Sequence, residues 1–221
     1  MMGTLRRFDL LALAEQYQIT HFVETGTGSG NGLAYAASCR KFGGQPVFKR
    51  LFSCEIEPTL AQNAYHRFRG NPRIEVISTS SSRFLHMVLP ELPICESVLF
   101  WLDAHFPGAD FEIRHYNDET RASLRLPAEE ELKIIHQLRP LRRDVILMDD
   151  ARIWLDDDFE RGNLPDDVRH CCPAERNINF VYPLFDATHH IKIMAEDQGY
   201  VVLTPKHTDI LPTPPTCATG Q

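Results

Sequence analysis

The residues with most to offer chemically are acids, one histidine and a set of glycines, all placed where apolar runs end. Asp103 and His105 follow the apolar run at 97–102, and Asp149 and Asp150 follow the one at 144–148. Carboxylates grouped in this way can take a proton or hold a hard divalent cation. A histidine beside them adds a group whose ordinary pKa, about 6.5, suits proton abstraction. Upstream, Glu24-Thr25-Gly26-Thr27-Gly28-Ser29-Gly30 places glycines at alternate positions. Such a loop can turn with positive φ and leaves no Cβ in the way of a ligand. Glu55 stands near the end of a further apolar run, at 50–56, and a carboxylate there can accept hydrogen bonds from both hydroxyls of a ribose. Glu57 competes for that role.

These groups need elements to position them. Residues 21–23 read as a short buried strand leading into the glycines, and 33–38 as a helix that should stop at Gly43-Gly44. Strand, glycine-rich turn and helix together open a nucleotide-binding α/β unit. Before it, Leu10, Leu13, Ala14 and Tyr17 repeat at helical spacing. After it, apolar runs at 50–56, 73–77, 97–102 and 144–148 alternate with helical stretches at 58–68, 84–89 and from 127 onward. Pro127 and the glutamates at 129–131 suit the first turn of that last helix and are expected to be structural. The alternation predicts an α/β fold, a Rossmann-like, mostly parallel sheet with helices on both faces. Ligands bind outside the carboxyl ends of such strands, where Asp103, His105, Asp149 and Asp150 fall.

The 106–126 stretch is long and polar, the pattern of a lid or substrate-binding segment, with disorder as the alternative. Beyond 150 the periodicity weakens. Residues 159–180 look like an insertion, 189–198 like a helix closed by Gly199, and 201–204 with 209–211 like a C-terminal antiparallel hairpin. A single domain over 1–211 and a disordered, proline-rich tail over 212–221 are expected.

A dinucleotide fingerprint counted from Gly26 or Gly28 would put its third glycine at 31 or 33, where Asn31 and Leu33 stand instead. The E-x-G-x-G-x-G run at 24–30 resembles the first motif of the class I methyltransferases, which use S-adenosylmethionine, and the resemblance extends over about residues 20–150. It implies that Glu24, Gly26, Thr27, Gly28 and Gly30 lie against the methionine part of that cofactor, that Asp103 lies nearby, and that Glu55 takes the ribose. From Gly26 to Glu55 is 29 positions, more than the usual spacing of about 20, and the 43–46 stretch accounts for the excess. After the third strand, that family contacts adenine through a short polar side chain. Ser80 and Ser81 stand there without the usual glycine–acid pair, and a helix cap explains them equally well.

More narrowly, the strand-end acids resemble those of metal-dependent O-methyltransferases of the catechol type. There an acid after the fourth strand and an acid–amide pair after the fifth hold magnesium. The resemblance implies Asp103, Asp149 and Asp150 as ligands of a Mg2+ ion that would bind an acceptor hydroxyl and lower its pKa. The chain departs from the pattern twice: Asp150 replaces the amide, and no lysine follows Asp103. His105 is the candidate for the missing base, with Asp103 beside it. In the alternative, Asp103 caps a loop and Asp149 or Asp150 caps a helix.

The implied activity is O-methylation of a small-molecule hydroxyl. Two other readings stay open: an NAD-dependent oxidoreductase, favoured by Glu55 and opposed by the glycine spacing, and a non-catalytic S-adenosylmethionine-binding protein. A net charge of −7 opposes nucleic-acid binding, since Arg139, Arg142 and Arg143 form only a sparse basic patch. No apolar run is long enough for a membrane span, and no apolar stretch of signal-peptide type follows Arg6 and Arg7. The cysteines form no C-x-x-C pair, which suits a reduced, cytoplasmic setting. Cys171 and Cys172 beside His170, and the acids at 156–158, read as ordinary core and solvated turn, with metal binding as the alternative. The expected partner is a small-molecule acceptor, with no nucleic acid and no membrane; a homo-oligomer is compatible with the sequence.

Overall fold

A computed structural model describes residues 4–141 and 143–206. A 3-10 turn over Leu5–Arg7 leads into α1 (Leu10–Tyr17), which Asp9 caps by accepting from the Ala12 amide. Then come β1 (Ile19–Thr25), α2 (Asn31–Ser38), β2 (Arg50–Glu55), α3 (Pro58–Phe68), β3 (Ile74–Ser78), α4 (Ser81–Val88) and β4 (Ser97–Leu102). The second half carries α5 (Ala122–Arg125), α6 (Ala128–Leu138), β5 (Val145–Met148), α7 (Asp166–Arg169), α8 (Tyr182–Phe185), β6 (His189–Met194) and β7 (Tyr200–Pro205).

The strands join one sheet in the order β3-β2-β1-β4-β5-β7-β6, parallel except for β7, which runs antiparallel to both its neighbours. The chain builds outward from β1 through β2 to β3 and then returns to β4 on the other side of β1. That reversal opens a crevice at the carboxyl ends of β1 and β4. Every residue of β4 is buried, and successive side chains go to opposite faces. Val98, Phe100 and Leu102 pack with Phe84, Leu85 and Val88 of α4 and Leu132 and Ile135 of α6. Leu99 and Trp101 pack with Leu10 of α1, Leu33 and Ala36 of α2, and Ala64 and Phe68 of α3.

Two segments differ from the sequence expectation. Residues 189–194 form a strand rather than a helix. Ile191 and Ile193 alternate with His190 and Lys192, a period of two that suits an edge strand paired to β7 from His189↔Pro205 to Met194↔Tyr200. The hairpin is therefore made by β6 and β7, around a turn with positive φ at Asp197 (50°) and Gly199 (83°). The strand expected at 209–211 and the tail at 212–221 lie outside the described residues. α2 stops at Ser38, short of Gly43-Gly44, because Cys39 turns extended, and the loop that follows is closed by an Arg40↔Pro46 bridge. The 159–180 stretch, read as an insertion, packs Phe159, Leu164, Val168, Cys171 and Ile178 into the main core. Among the described residues, no helix is long and apolar enough to cross a membrane.

Candidate functional site

The register of β1 against β2 and β4 pairs Thr25 with Cys54 and with Leu102, so the glycine loop, Glu55 and Asp103 emerge at one edge of the sheet. Gly26 has φ 80°, and a Cβ there would stand 2.3 Å from the backbone oxygen of Asp103. Only glycine allows the loop and the end of β4 to meet so closely. The Gly26 and Thr27 amides donate to the Cys54 carbonyl at 3.0 and 2.9 Å. The Gly28 amide donates to Glu55 Oε2 at 2.8 Å, and the Glu57 amide to Glu55 Oε1 at 2.9 Å. Burial raises the Glu55 carboxyl above its ordinary pKa, while the Glu57 and Gly28 amides oppose the rise. Glu57 is engaged elsewhere, by Arg114 Nε at 2.6 Å. Of the two acids, Glu55 lines the cavity beside the loop and Glu57 does not.

Glu24 is buried beneath the loop and accepts from Ser53 Oγ at 2.6 Å; the same hydroxyl lies 2.6 Å from Thr27 Oγ1. Burial pushes the Glu24 carboxyl up to about 8, against the pull of Ser53. Gly30 takes the N-cap position of α2, and it lines neither of the two cavities that flank the loop.

The first of these cavities is lined by Gly26, Gly28, Glu55, Leu60, Ser80, Ser81, Asp103 and His105, with Phe106, Pro107 and Phe111 over it. Ser80 occupies the N-cap position of α4 but makes no capping bond with its side chain, so its hydroxyl remains open to a ligand. The 106–126 segment contributes a turn at Ala109–Phe111 that folds back over the loop. A Cβ on Gly28 would meet Phe111 Cζ at 2.7 Å, and the Arg114–Glu57 pair ties the segment to the end of β2. The second cavity, about 420 Å³, lies on the other side of the loop between Thr4–Arg6, Glu24, Asn31, Gly32, Trp101 and Asp103.

The strand-end acids do converge, around His105. Its Nδ1 is 3.6 Å from Asp103 Oδ1 and its Nε2 is 3.4 Å from Asp150 Oδ2. Burial opposes a charged imidazole, but Asp150, Asp103 and Asp149 outweigh it and push the pKa up to about 10. These surroundings move the imidazole above the value near 6.5 on which the expectation of a base rested. Asp103 accepts from Trp101 Nε1 at 3.3 Å, and burial, reinforced by Asp149, holds its carboxyl well above the ordinary range. Asp150 has φ 55° and accepts from Arg152 Nε at 2.8 Å. Burial would raise it, yet His105 and Arg152 keep it below its ordinary value. Asp149 Oδ1 accepts from the Asp150 amide at 2.8 Å, and its buried Oδ2 has no partner. Burial, then Asp150, push Asp149 up to about 7. The capping alternative fails for Asp150, which precedes the turn at Ala151–Ile153 without a side-chain cap.

This arrangement does not fit magnesium. A hard dication needs several carboxylate oxygens open toward one point. Here the His105 ring stands between Asp103 and Asp150, and Arg152 holds the remaining Asp150 oxygen. Among the described residues, no group of three or more His, Cys, Asp and Glu is placed to hold a metal ion. Of the expected triad, Asp103 and Asp150 face protein cations instead, and Asp149 turns one oxygen to the Asp150 amide. Asp156 pairs with Arg169 and Arg176, and His170, Cys171 and Cys172 form no ligand group of three among the described residues.

Sequence reasoning missed Arg152, the N-terminal residues Thr4–Arg6 and the burial of Glu131, whereas Phe111 falls in the 106–126 stretch read as a lid. Glu131, expected to be structural in the first turn of α6, is buried beside Ser81 and Thr25. Burial pushes it up to about 7 against those hydroxyls, and its Oε1 has no partner. Its position four residues before Ile135 puts it on the buried face of α6, a signal available in the sequence.

No protein-family model matches the chain, and no similar protein is found among curated sequences. Solved structures do match. One is a Staphylococcus aureus protein assigned as a caffeoyl-CoA O-methyltransferase, at TM-score 0.57 and 11% identity, covering 93% of this chain and 85% of that one. Podospora anserina methyltransferase PaMTH1, solved with S-adenosylhomocysteine, matches at TM-score 0.54 and 15% identity, covering 90% and 76%. The O-methyltransferase TomG of Streptomyces achromogenes, from tomaymycin synthesis and solved with S-adenosylmethionine, matches at 0.50 and 16%, covering 89% and 77%. With its strand order and its reversed β7, the chain has the Rossmann-like fold of the class I S-adenosylmethionine-dependent methyltransferases.

Proposed function

We propose that this protein is an S-adenosylmethionine-dependent methyltransferase acting on a hydroxyl of a small molecule, and that it works without a metal. The observation that carries the reading is the seating of the glycine loop between two acids, with Gly28 bonded to Glu55 and Gly26 packed on Asp103. Cavities on both sides of that loop suit a ligand with a nucleoside at one end and an amino acid at the other. The cofactors bound in PaMTH1 and TomG favour the same choice.

When bound, S-adenosylmethionine supplies an electrophilic methyl group on a sulfonium. Glu55 would accept the ribose hydroxyls, and Ser80 and Ser81, which line the same cavity, would hold the adenine edge. Asp103, more basic than an ordinary carboxylate because of its burial, takes the proton of the acceptor hydroxyl. His105 remains an imidazolium and steadies the negative charge growing on the acceptor oxygen. Asp150, shared with Arg152, holds the His105 ring in position.

The test is transfer of a labelled methyl group to a pool of phenolic and aliphatic hydroxyl compounds, with and without EDTA. Label should pass to an acceptor oxygen at the same rate in both. Activity lost in EDTA and restored by Mg2+ would return the metal to the mechanism. Cofactor binding without transfer to any acceptor would favour a binding protein.

A further inference from the structure

The N-terminal strap, residues 4–8, closes one side of the second cavity and is fastened along its length. The Phe8 ring stands edge-on to Trp101 and Tyr200, with centroids at 6.2 and 5.1 Å. Arg7 grips Asp197 through Nε and Nη2, at 2.8 and 2.9 Å, and Glu160 Oε2 at 2.9 Å. The Thr4 amide donates to Tyr200 Oη at 3.1 Å, and that hydroxyl donates to Asp197 Oδ2 at 2.7 Å. Asp197 is buried in the turn between β6 and β7, so the strap is locked to the far end of the sheet.

Arg6 is the residue this fastening presents to the cavity. Its guanidinium carbon lies 5.1 Å from the centroid of the Tyr35 ring, and it makes no ion pair among the described residues. It is the one cation among the residues lining the cavity, which also include Glu24 and Asp103. Those acids offer nothing to an anion. A guanidinium fork pairs with a carboxylate through two parallel hydrogen bonds, and stacking on an aromatic ring fixes its plane.

We infer that Arg6 receives the α-carboxylate of the cofactor's amino-acid end, and that Arg7 positions the strap that presents it. This rests on the cofactor reading above and adds to it a binding residue outside the glycine loop. Arg7 acts through Arg6 and touches no ligand.

The test compares two ligands that share the adenosine and the thioether, S-adenosylhomocysteine with the carboxylate and 5′-methylthioadenosine without it. Both are titrated calorimetrically into wild type, Arg6→Gln, Arg6→Lys and Arg7→Gln. Arg6→Gln should weaken S-adenosylhomocysteine by about tenfold, the scale of one charge-assisted pair, and leave 5′-methylthioadenosine unchanged. Arg6→Lys should fall between, and Arg7→Gln should repeat the selective loss at smaller size. Because Arg6 is exposed, its variants should keep the wild-type melting temperature. Equal binding of S-adenosylhomocysteine by wild type and Arg6→Gln overturns the inference. So does an equal loss for both ligands, which marks a general disturbance, or wild type holding both equally well. If wild type binds neither ligand, the cofactor reading itself fails and takes the inference with it.

Discussion

His105 Nε2 lies 3.4 Å from one oxygen of Asp150, while Arg152 Nε lies 2.8 Å from the other. One carboxylate is thus shared between two cations, and the histidine is held in its acid form. Its pKa rises from 6.5 to about 10, so the charge persists through the neutral range and is lost only as pH climbs through about 10. His105→Ala should lower kcat at pH 7 by about a hundredfold, as expected for a lost charge-stabilising donor. The acidic limb of the pH–rate profile should survive in the variant, because it belongs to the Asp103 side of the site. A wild-type limb near pH 6.5 that disappears in His105→Ala would make the residue a base after all.

Glu55 and Glu57 look interchangeable in sequence and do different work in the fold. Two hydrogen bonds from ribose to Glu55, each worth roughly 1.5–3 kcal/mol before exposure is discounted, set a loss of about tenfold or more in S-adenosylhomocysteine affinity for Glu55→Ala. Glu57→Ala should cost less and should match Arg114→Ala, with the double variant no worse than either, because both remove the same tie on the covering segment. Titration of the four proteins with S-adenosylhomocysteine decides it. Equal effects at 55 and 57 would mean that the ribose partner is wrongly assigned.

Gly26 and Gly28 should respond differently to alanine. At Gly26 the new methyl would strike the Asp103 carbonyl, part of the backbone, whereas at Gly28 it would strike the edge of the Phe111 ring. Both have positive φ, so each pays about 1 kcal/mol or more in backbone strain. Gly26→Ala should therefore lose more thermal stability. Gly28→Ala should regain cofactor affinity when combined with Phe111→Ala, and no recovery in the double variant would remove Phe111 from the cleft.

Much of this arrangement was legible in the sequence. The apolar runs ending in Glu55, Asp103 and Asp149 became β2, β4 and β5, because strands buried on both faces leave an unbroken apolar signature. Adjacency of β4 and β5 then brought Asp103 and Asp149 together. What stayed hidden depends on partners distant in sequence. That His105 would be flanked by Asp103 and Asp150, and that Arg152 would pair with Asp150, follows from side-chain placement that strand patterns do not encode. β6 was misread because an edge strand alternates only weakly, with half its residues left to solvent. Glu131 was masked by two neighbouring glutamates that do lie outside.

Glu131 gives a test independent of catalysis. Its carboxyl rises from 4.5 to about 7 on folding, mainly through burial, so the folded state binds its proton more tightly than the unfolded chain does. The protonated residue therefore costs nothing below pH 4.5, and the penalty grows as pH rises to about 7, reaching on the order of 3 kcal/mol. Glu131→Gln should gain stability relative to wild type across that window and hold the gain above it. Denaturant melts at pH 4.5, 6 and 8 provide the measurement. A difference that does not change with pH would place an ionised carboxylate at this position throughout.

That the cleft takes S-adenosylmethionine is tested most directly by calorimetric titration of the wild-type chain with S-adenosylhomocysteine and, separately, with NAD. The expected result is saturable one-site binding of S-adenosylhomocysteine, weakened about tenfold in Glu55→Ala, and no binding of NAD. Tight binding of NAD with no response to S-adenosylhomocysteine would contradict it.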